Sequence, residues 1–409
     1  MASHLIGSFQ LMKSLNRTLI LNIIRSTGGI SRADIAKRTK LTPPTVTNLA
    51  AELLSEGIVV EGQHGPSSGG RKPILLKINS RQFYVAGIDV GISKIRFALT
   101  DLDARVLIRK TIPVQDSPKE ADIMDVLIQA IRSLSSEVPK GKLVGIGIGM
   151  HGIVNSAKGV ALYAPNFNLK NIPLKEKLEE EFGIPVRVEN DARAMALGES
   201  WFGNGAGAAD MICINVGHGI GAGILMDHKL FRGRHGLAGE IGHTVADLNG
   251  PLCTCGNYGC LQAVAAHDGL KRAAMREISF GRKTLITDMI SGDESKLNGA
   301  LIYQAAIAGD ELAADLFRQA GRYLGTAVTN LIHVMNPSKI IIGGGISKAG
   351  DLLLDPVREV VRQRALDPEA KKTPIVASGL GDEAALIGAV TLILAEMFSV
   401  QYKHQTELV

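Results

Sequence analysis

Residues 239–260 read GEIGHTVADLNGPLCTCGNYGC. This stretch holds His243 and then Cys253, Cys255 and Cys260. Three thiolates and one imidazole make a closed tetrahedral donor set, the pattern of structural Zn²⁺, with no position left for a catalytic water. Gly256 and Gly259 let the chain fold tightly around an ion. The competing reading is a nest of reduced, buried cysteines without metal. Clustering on this scale argues for metal rather than for a disulfide framework. Cys213, the remaining cysteine, lies in an apolar run and reads as a small core residue.

On both sides of this stretch, apolar runs end in glycine-bearing turns. Tyr84–Val90 ends in Asp89-Val90-Gly91, with further strands expected at Ile95–Leu99, Arg105–Ile108 and Val144–Gly149. Met211–Val216 leads into Gly217-His218-Gly219-Ile220-Gly221, and Lys339–Ile342 into Gly343-Gly344-Gly345. Such turns bring backbone N–H groups close to phosphate, or simply let a strand and a helix pack closely. One glycine turn says little. Three in the order Asp-x-Gly, Gly-x-Gly-x-Gly, Gly-Gly-Gly resemble the two phosphate loops and the adenosine loop of the sugar-kinase/actin-like fold.

The bulk properties agree. A chain of 409 residues is long enough for two or three domains, and 46 glycines against 10 Phe, 6 Tyr and 1 Trp suit an α/β architecture. No run of about 18 apolar residues is present, so no membrane span is expected. The N-terminus lacks a secretory pattern, which makes the cytoplasm the expected compartment. Charge is unevenly spread. Residues 1–80 carry ten Lys/Arg against four Asp/Glu, whereas the rest carries 35 against 36. A small basic module joined to a near-neutral body is the electrostatic outline of a nucleic-acid reader.

Within the basic segment, Leu11, Leu15, Leu19, Ile20, Ile23 and Ile24 recur at helical spacing and predict a first amphipathic helix ending at Gly28-Gly29. Ser31 stands where an N-cap belongs, with Asp34 three residues on, and Ile35 and Ala36 supply the buried side of a second helix. A third helix opens at Thr42-Pro43-Pro44, with Val46, Leu49, Leu53 and Leu54 inward and Thr45, Thr47 and Asn48 outward, able to reach base edges and phosphates. Ile58–Glu61 and Arg71–Leu76, separated by a Gly/Ser-rich tip, read as a two-stranded wing with Arg71 and Lys72 placed for phosphate or minor-groove contact. A three-helix unit with a hairpin can also serve as a plain protein-interaction module. The basic excess, the polar helix face and the Arg-Lys wing favour double-stranded DNA.

The Gly-Glu-Ile-Gly-His run followed by Cys-x-Cys-Gly-x-x-Gly-Cys resembles the signature of the ROK family (repressors, open reading frames, kinases), and the likeness extends over nearly the whole chain. The winged head, with its Ser67-Ser68-Gly69-Gly70-Arg71-Lys72-Pro73 wing, is similar to the repressor branch that includes the xylose and N-acetylglucosamine repressors. The resemblance implies an α/β chain: a winged helix-turn-helix plus an actin-like (ribonuclease H-like) two-lobed sugar-kinase-type ATPase fold. It implies a winged head over 1–80, a first lobe over 81–190 and a zinc-bearing second lobe over 191–381. A C-terminal helix at 382–398 would pack back on the first lobe.

Carried over by position, Asn166, Asn190, Glu240, His243 and Gln262 would line a sugar cleft. Asp191 would hold the general-base position of the kinases, a vestige in a repressor. Asn166 as a turn residue and Asp191 as a helix N-cap are the plainer readings. Asp89, Gly91, Gly217, Gly219, Gly343 and Gly344 would be nucleotide-loop remnants.

Three departures separate this chain from the kinases. Ile92 stands in place of the second glycine of Asp-x-Gly-Gly-Thr, His218 in place of the threonine of Gly-Thr-Gly, and Gln262 in place of a glutamate. A β-branched side chain and a bulky ring obstruct a phosphate, so ATP is not an expected cofactor. The expectation is a sugar-responsive repressor of carbohydrate use, with xylose metabolism as the model, bound as a homodimer or tetramer to operator DNA. A sugar kinase with a DNA-binding head, and a body that docks a transporter protein, stand as alternatives.

Overall fold

The computed structural model describes residues 9–65, 72–114 and 118–399. The head comprises α1 (Phe9–Thr27), β1 (Ile30–Ser31), α2 (Arg32–Thr39), α3 (Pro43–Ser55), β2 (Val59–His64) and β3 (Ile74–Ile78). The caps are local and legible. Ser31 Oγ accepts from Asp34 N at 3.1 Å, and Thr42 Oγ1 from Thr45 N at 3.4 Å. β3 lies between β1 and β2, all antiparallel, which is a winged helix. The buried face of α1 matches the expectation only in part. Ile20, Leu21 and Ile24 are inside, whereas Leu15 and Leu19 join Met12 in an exposed apolar row.

The first lobe is a five-stranded sheet built from β4 (Tyr84–Val90), β5 (Lys94–Asp101), β6 (Val106–Pro113), β7 (Leu143–Met150) and, after three strands, β11 (Val186–Asn190). Its order is β11-β7-β4-β5-β6, with the β4–β7 and β7–β11 pairs parallel and the rest antiparallel. The intervening β8 (Ile153–Asn155), β9 (Val160–Ala164) and β10 (Leu169–Ile172) form a small antiparallel flap. α4 (Glu120–Ser135) and α5 (Leu174–Phe182) cover one face through Leu127, Ile131 and Leu178.

The second lobe repeats this plan. β12 (Met211–Val216), β13 (Ile220–Met226), β14 (Lys229–Phe231), β15 (Lys339–Gly343) and β16 (Ile375–Ala377) take the order β14-β13-β12-β15-β16. Three antiparallel strands are again followed by two parallel ones. Long insertions between β14 and β15 supply α7 (Leu261–Ala265), α8 (His267–Ser279), α9 (Leu285–Ile290), α10 (Gly299–Ile307) and the 25-residue α11 (Glu311–Met335). α12 (Asp351–Arg364) packs along α11. Duplication of one strand plan puts two glycine turns, after β4 and β12, at equivalent carboxyl-side positions, where Gly91 N donates to Lys94 O at 3.1 Å and Gly217 N to Gly219 O at 2.9 Å.

Two helices bind the lobes together. α6 (Asp191–Phe202) lies on β12 and β13, and α13 (Ala384–Met397) lies on β4 and β7. Gly388, Gly198 and Gly223 hold these layers in contact. A Cβ at Gly388 would stand 1.9 Å from Ala194 O, so any larger residue would push α13 off α6. The head does not stand apart either. Its core residues Ile20, Ile24, Leu53 and Leu76 are continuous with Val85, Leu102, Ile387, Val390 and Leu394.

Candidate effector cleft, metal cluster and DNA-reading head

α6 begins between the two lobes, and its first turn organises the candidate site. Asn190 is its N-cap: its amide oxygen accepts from Ala192 N at 3.0 Å and Arg193 N at 3.1 Å. Its amide nitrogen donates to Gly152 O and to Asp191 Oδ1, each at 3.0 Å. The capping role considered for Asp191 therefore falls one residue earlier. With both ends of its amide engaged, Asn190 holds the Asp191 carboxylate in place. From the end of β12, Asn215 Nδ2 donates to Asp191 Oδ2 at 3.3 Å.

Asp191 is pushed up to about 7, by burial first and then by the neighbouring carboxylate of Asp89. Glu240 is also raised, by burial against the opposing pull of His243 and Arg193. A carboxyl group near neutrality can take or return a hydroxyl proton. Asn166 sits exposed on a 3₁₀ turn, Pro165–Phe167, at the rim.

Beneath these residues lies a charge network that sequence reasoning did not find. Glu189, fully buried, accepts from Arg193 Nε, Arg232 Nε and Ser156 Oγ, each at 2.7 Å. Arg193, itself 1% exposed, also donates to Gly236 O at 2.6 Å. Glu189 and Ser156 belong to the first lobe and Arg232 and Gly236 to the second, so the network bridges the cleft. Two adjacent guanidinium groups outweigh burial and hold the Glu189 carboxyl below its ordinary value.

The glycine turns meet the same region. Asp89 is 4% exposed and is engaged by Arg96, whose Nε donates to its Oδ2 at 2.8 Å. The hairpin register, with Asp89 opposite Arg96, produces this pair. It closes the carboxylate that an Asp-x-Gly phosphate loop would offer to a nucleotide-bound cation. His218, exposed after Gly217, stacks on His267 with ring centroids 4.7 Å apart. Gly344, at φ +89°, places its Cα where a Cβ would meet Asn215 Oδ1 at 2.3 Å, so the third turn abuts the residue that holds Asp191. Gly91, Gly217, Gly219 and Gly343 lie on the same turns. A groove of about 1050 Å³ between α11 and α12 shares none of these residues, and its Arg358 is paired with Asp351 and Asp355.

His243 follows Glu240 in a single 3₁₀ turn, and its ligand atom lies within 4.8 Å of the sulfurs of Cys253, Cys255 and Cys260, as these lie of one another. The donor set fits a tetrahedral cation. Without one, burial is outweighed at Cys253 by hydrogen bonds from Cys255, His243 and Cys260, which bring it to about 7, while burial and the same sulfurs push Cys260 up to about 12. Gln262 donates to Cys253 Sγ at 3.6 Å and to Thr254 Oγ1 at 3.3 Å. Its Oε1 faces the Gly219 and Gly242 backbone. It thus links the cysteine loop to the second glycine turn. Cys213 is a buried strand residue, as its apolar run implies.

In the head, Thr47 Oγ1 donates back to Pro43 O at 2.9 Å, and the Thr45 hydroxyl is 2.8 Å from that of Thr42. Asn48 is exposed and, among the described residues, makes no side-chain hydrogen bond. Lys72 is exposed beside the wing, whereas Arg71 lies outside the described residues. The far side of the head meets the body. The Arg25 guanidinium stands 3.8 Å from the ring centroid of Trp201, Asn22 Nδ2 donates to Phe398 O at 2.9 Å, and Thr18 Oγ1 to Ser399 O at 3.1 Å.

Comparison with known proteins extends these findings. The ROK family profile matches residues 85–396, and a winged helix-turn-helix DNA-binding profile matches residues 14–60. A xylose repressor of Caldicellulosiruptor bescii is 35% identical over 396 residues, 96% of this chain and 98% of that protein. Among solved structures, a ROK family transcriptional regulator that is a homologue of the Escherichia coli MLC protein superposes with a TM-score of 0.83 at 31% identity, covering 95% of this chain and 97% of its own. A ROK family glucokinase from Streptomyces griseus, in complex with glucose and AMPPNP, gives 0.67 at 34% identity over 76% of this chain and 98% of its own.

Proposed function

This chain belongs to the ROK family, and from that premise we propose that it is a sugar-responsive DNA-binding repressor of carbohydrate use. One observation carries the reading. The helix whose first residue is Asp191, at the cleft, has Trp201 next to its last residue, under Arg25 of the head. A rigid α-helix of 12 residues spans about 18 Å, so a displacement at one end is delivered to the other. A sugar that favours one lobe arrangement would thereby reposition the reading helices and alter DNA affinity, by differential binding to two states.

In this proposal Asp191, Glu240 and Asn166 contact sugar hydroxyls. Asn190 and Asn215 position Asp191, and the Glu189 network sets the lobe angle. His243, Cys253, Cys255 and Cys260 hold structural zinc, which supplies folding free energy and fixes the wall that carries Glu240. α3 enters the major groove with Asn48 toward base edges, and Arg71 and Lys72 contact the backbone or minor groove. Two heads on a near-palindromic operator require a homodimer, for which the exposed Met12, Leu15 and Leu19 row offers apolar surface.

The test is an electrophoretic shift on the DNA upstream of its own gene, repeated with D-xylose, D-glucose and N-acetyl-D-glucosamine. The expected result is a specific shift changed by one sugar; a chain that binds no DNA refutes it. The proton affinity of Asp191 favours a second reading, phosphoryl transfer to the sugar. The Arg96 pair on Asp89 and the Ile92 and His218 departures oppose it. Sugar-dependent ADP release abolished by Asp191→Asn would establish kinase activity.

A further inference from the structure

His151 follows β7 directly and is 6% exposed. Its ring Nδ1 is 3.0 Å from Val90 O, on the first glycine turn. A carbonyl only accepts, so Nδ1 carries the hydrogen, and burial, which lowers the pKa, keeps the ring neutral. Nε2 is therefore a bare acceptor. It is fully buried, and among the described residues nothing donates to it. Leaving a buried acceptor unmet is costly, so a site built this way is complete only when a donor arrives.

The surroundings identify the donor's source. Phe167, edge-on to the imidazole with centroids 4.4 Å apart, is the neighbour of Asn166 on the rim turn. Gly152, next to His151, gives its carbonyl to Asn190, the residue that holds Asp191. The ring is thus wedged between the glycine turn, the Asn166 turn and the base of α6. We propose that His151 is a specificity-determining residue of the effector cleft, its Nε2 accepting a hydrogen bond from one hydroxyl of the bound sugar. The proposal rests on the sugar-cleft reading above and adds a contact that selects a hydroxyl donor at one ring position over a hydrogen atom or an ether oxygen there.

The experiment is isothermal calorimetry on the full chain with D-xylose, D-glucose and N-acetyl-D-glucosamine, then with each monodeoxy derivative of the sugar that binds. Wild type, His151→Phe and His151→Gln are compared, with thermal melts to confirm folding. For wild type, one deoxy derivative is expected to bind at least ten-fold more weakly than its parent. For His151→Phe the parent and that derivative should bind alike. His151→Gln, whose amide oxygen reaches the Nε2 position, should restore part of the discrimination, and it serves as the test if the phenylalanine variant does not fold. If wild type binds the parent but no deoxy position couples to His151, the proposal is overturned and an internal water is the partner of Nε2. If no sugar binds wild type, the cleft reading itself fails, and the proposal with it.

Discussion

The chain contains one tryptophan, and it stands at the junction of head and body. Its emission is therefore a direct gauge of that junction. Arg25 is held 3.8 Å from the Trp201 centroid and 5.8 Å from that of Phe398, and burial lowers its pKa, a sign of partial desolvation. Trp201 is further set against Phe202 and Phe398, with centroids at 6.0 and 6.2 Å. A partly desolvated cation–π contact contributes about 1–2 kcal/mol. Arg25→Met keeps the packed stem and removes the charge, so it shifts the balance between the seated head and any alternative by roughly five- to thirty-fold. Titrating sugar into the wild type should change the emission if, as proposed, a displacement at Asp191 is carried along α6 to Trp201. In Arg25→Met the emission change should shrink, and the sugar concentration at half-saturation should move by up to that factor. The reasoning is refuted if a sugar that binds by calorimetry leaves the Trp201 emission unchanged and Arg25→Met binds it as wild type does.

Further outcomes are expected elsewhere. Metal analysis should find one zinc per chain, and Cys255→Ser or chelation should lower the melting temperature; a metal-free chain of undiminished stability rules out a structural ion. Glu189→Ala strands the buried guanidinium of Arg193, Arg232 being exposed, and should cost about 3–5 kcal/mol, read from the urea midpoint. Because the Glu189 carboxyl is held below its ordinary value, its contribution is complete above about pH 5 and is lost as pH falls through the usual carboxylate range and below. The wild-type urea midpoint should fall there more steeply than that of Glu189→Gln, and parallel curves would argue against the network. Lys72→Ala should reduce the salt slope of operator binding by about 0.9, whereas Asn48→Ala should reduce discrimination between operator and non-operator DNA. An unchanged slope would take Lys72 out of the interface.

Much of this was legible because it depends on short windows. The Ser31 and Thr42 caps, the strand at Met211–Val216 and the cysteine spacing each follow from residues within a turn or two of one another. The Asp89–Arg96 pair was also within reach, since a tight turn after Val90 sets Arg96 opposite Asp89. The partners of the side chains around Asp191 are not local. Asn190 and Gln262 carry the expected residue types, but an amide's partners depend on which groups the fold brings beside it. Asn190 caps α6 and Gln262 joins the cysteine loop, partners that the residue types alone do not specify.

By itself, then, the sequence determined a basic winged head, an α/β body with repeated glycine turns, and a three-cysteine, one-histidine cluster. These are properties of periodicity, capping and local spacing. Tertiary structure alone decided that Leu21 rather than Leu15 faces inward and that Glu189 is shared by Arg193 and Arg232. It also decided that His151 keeps an unmet nitrogen and that Arg25 meets Trp201, 176 positions along the chain. Contacts at that separation are set by how whole layers pack, and no local pattern encodes them.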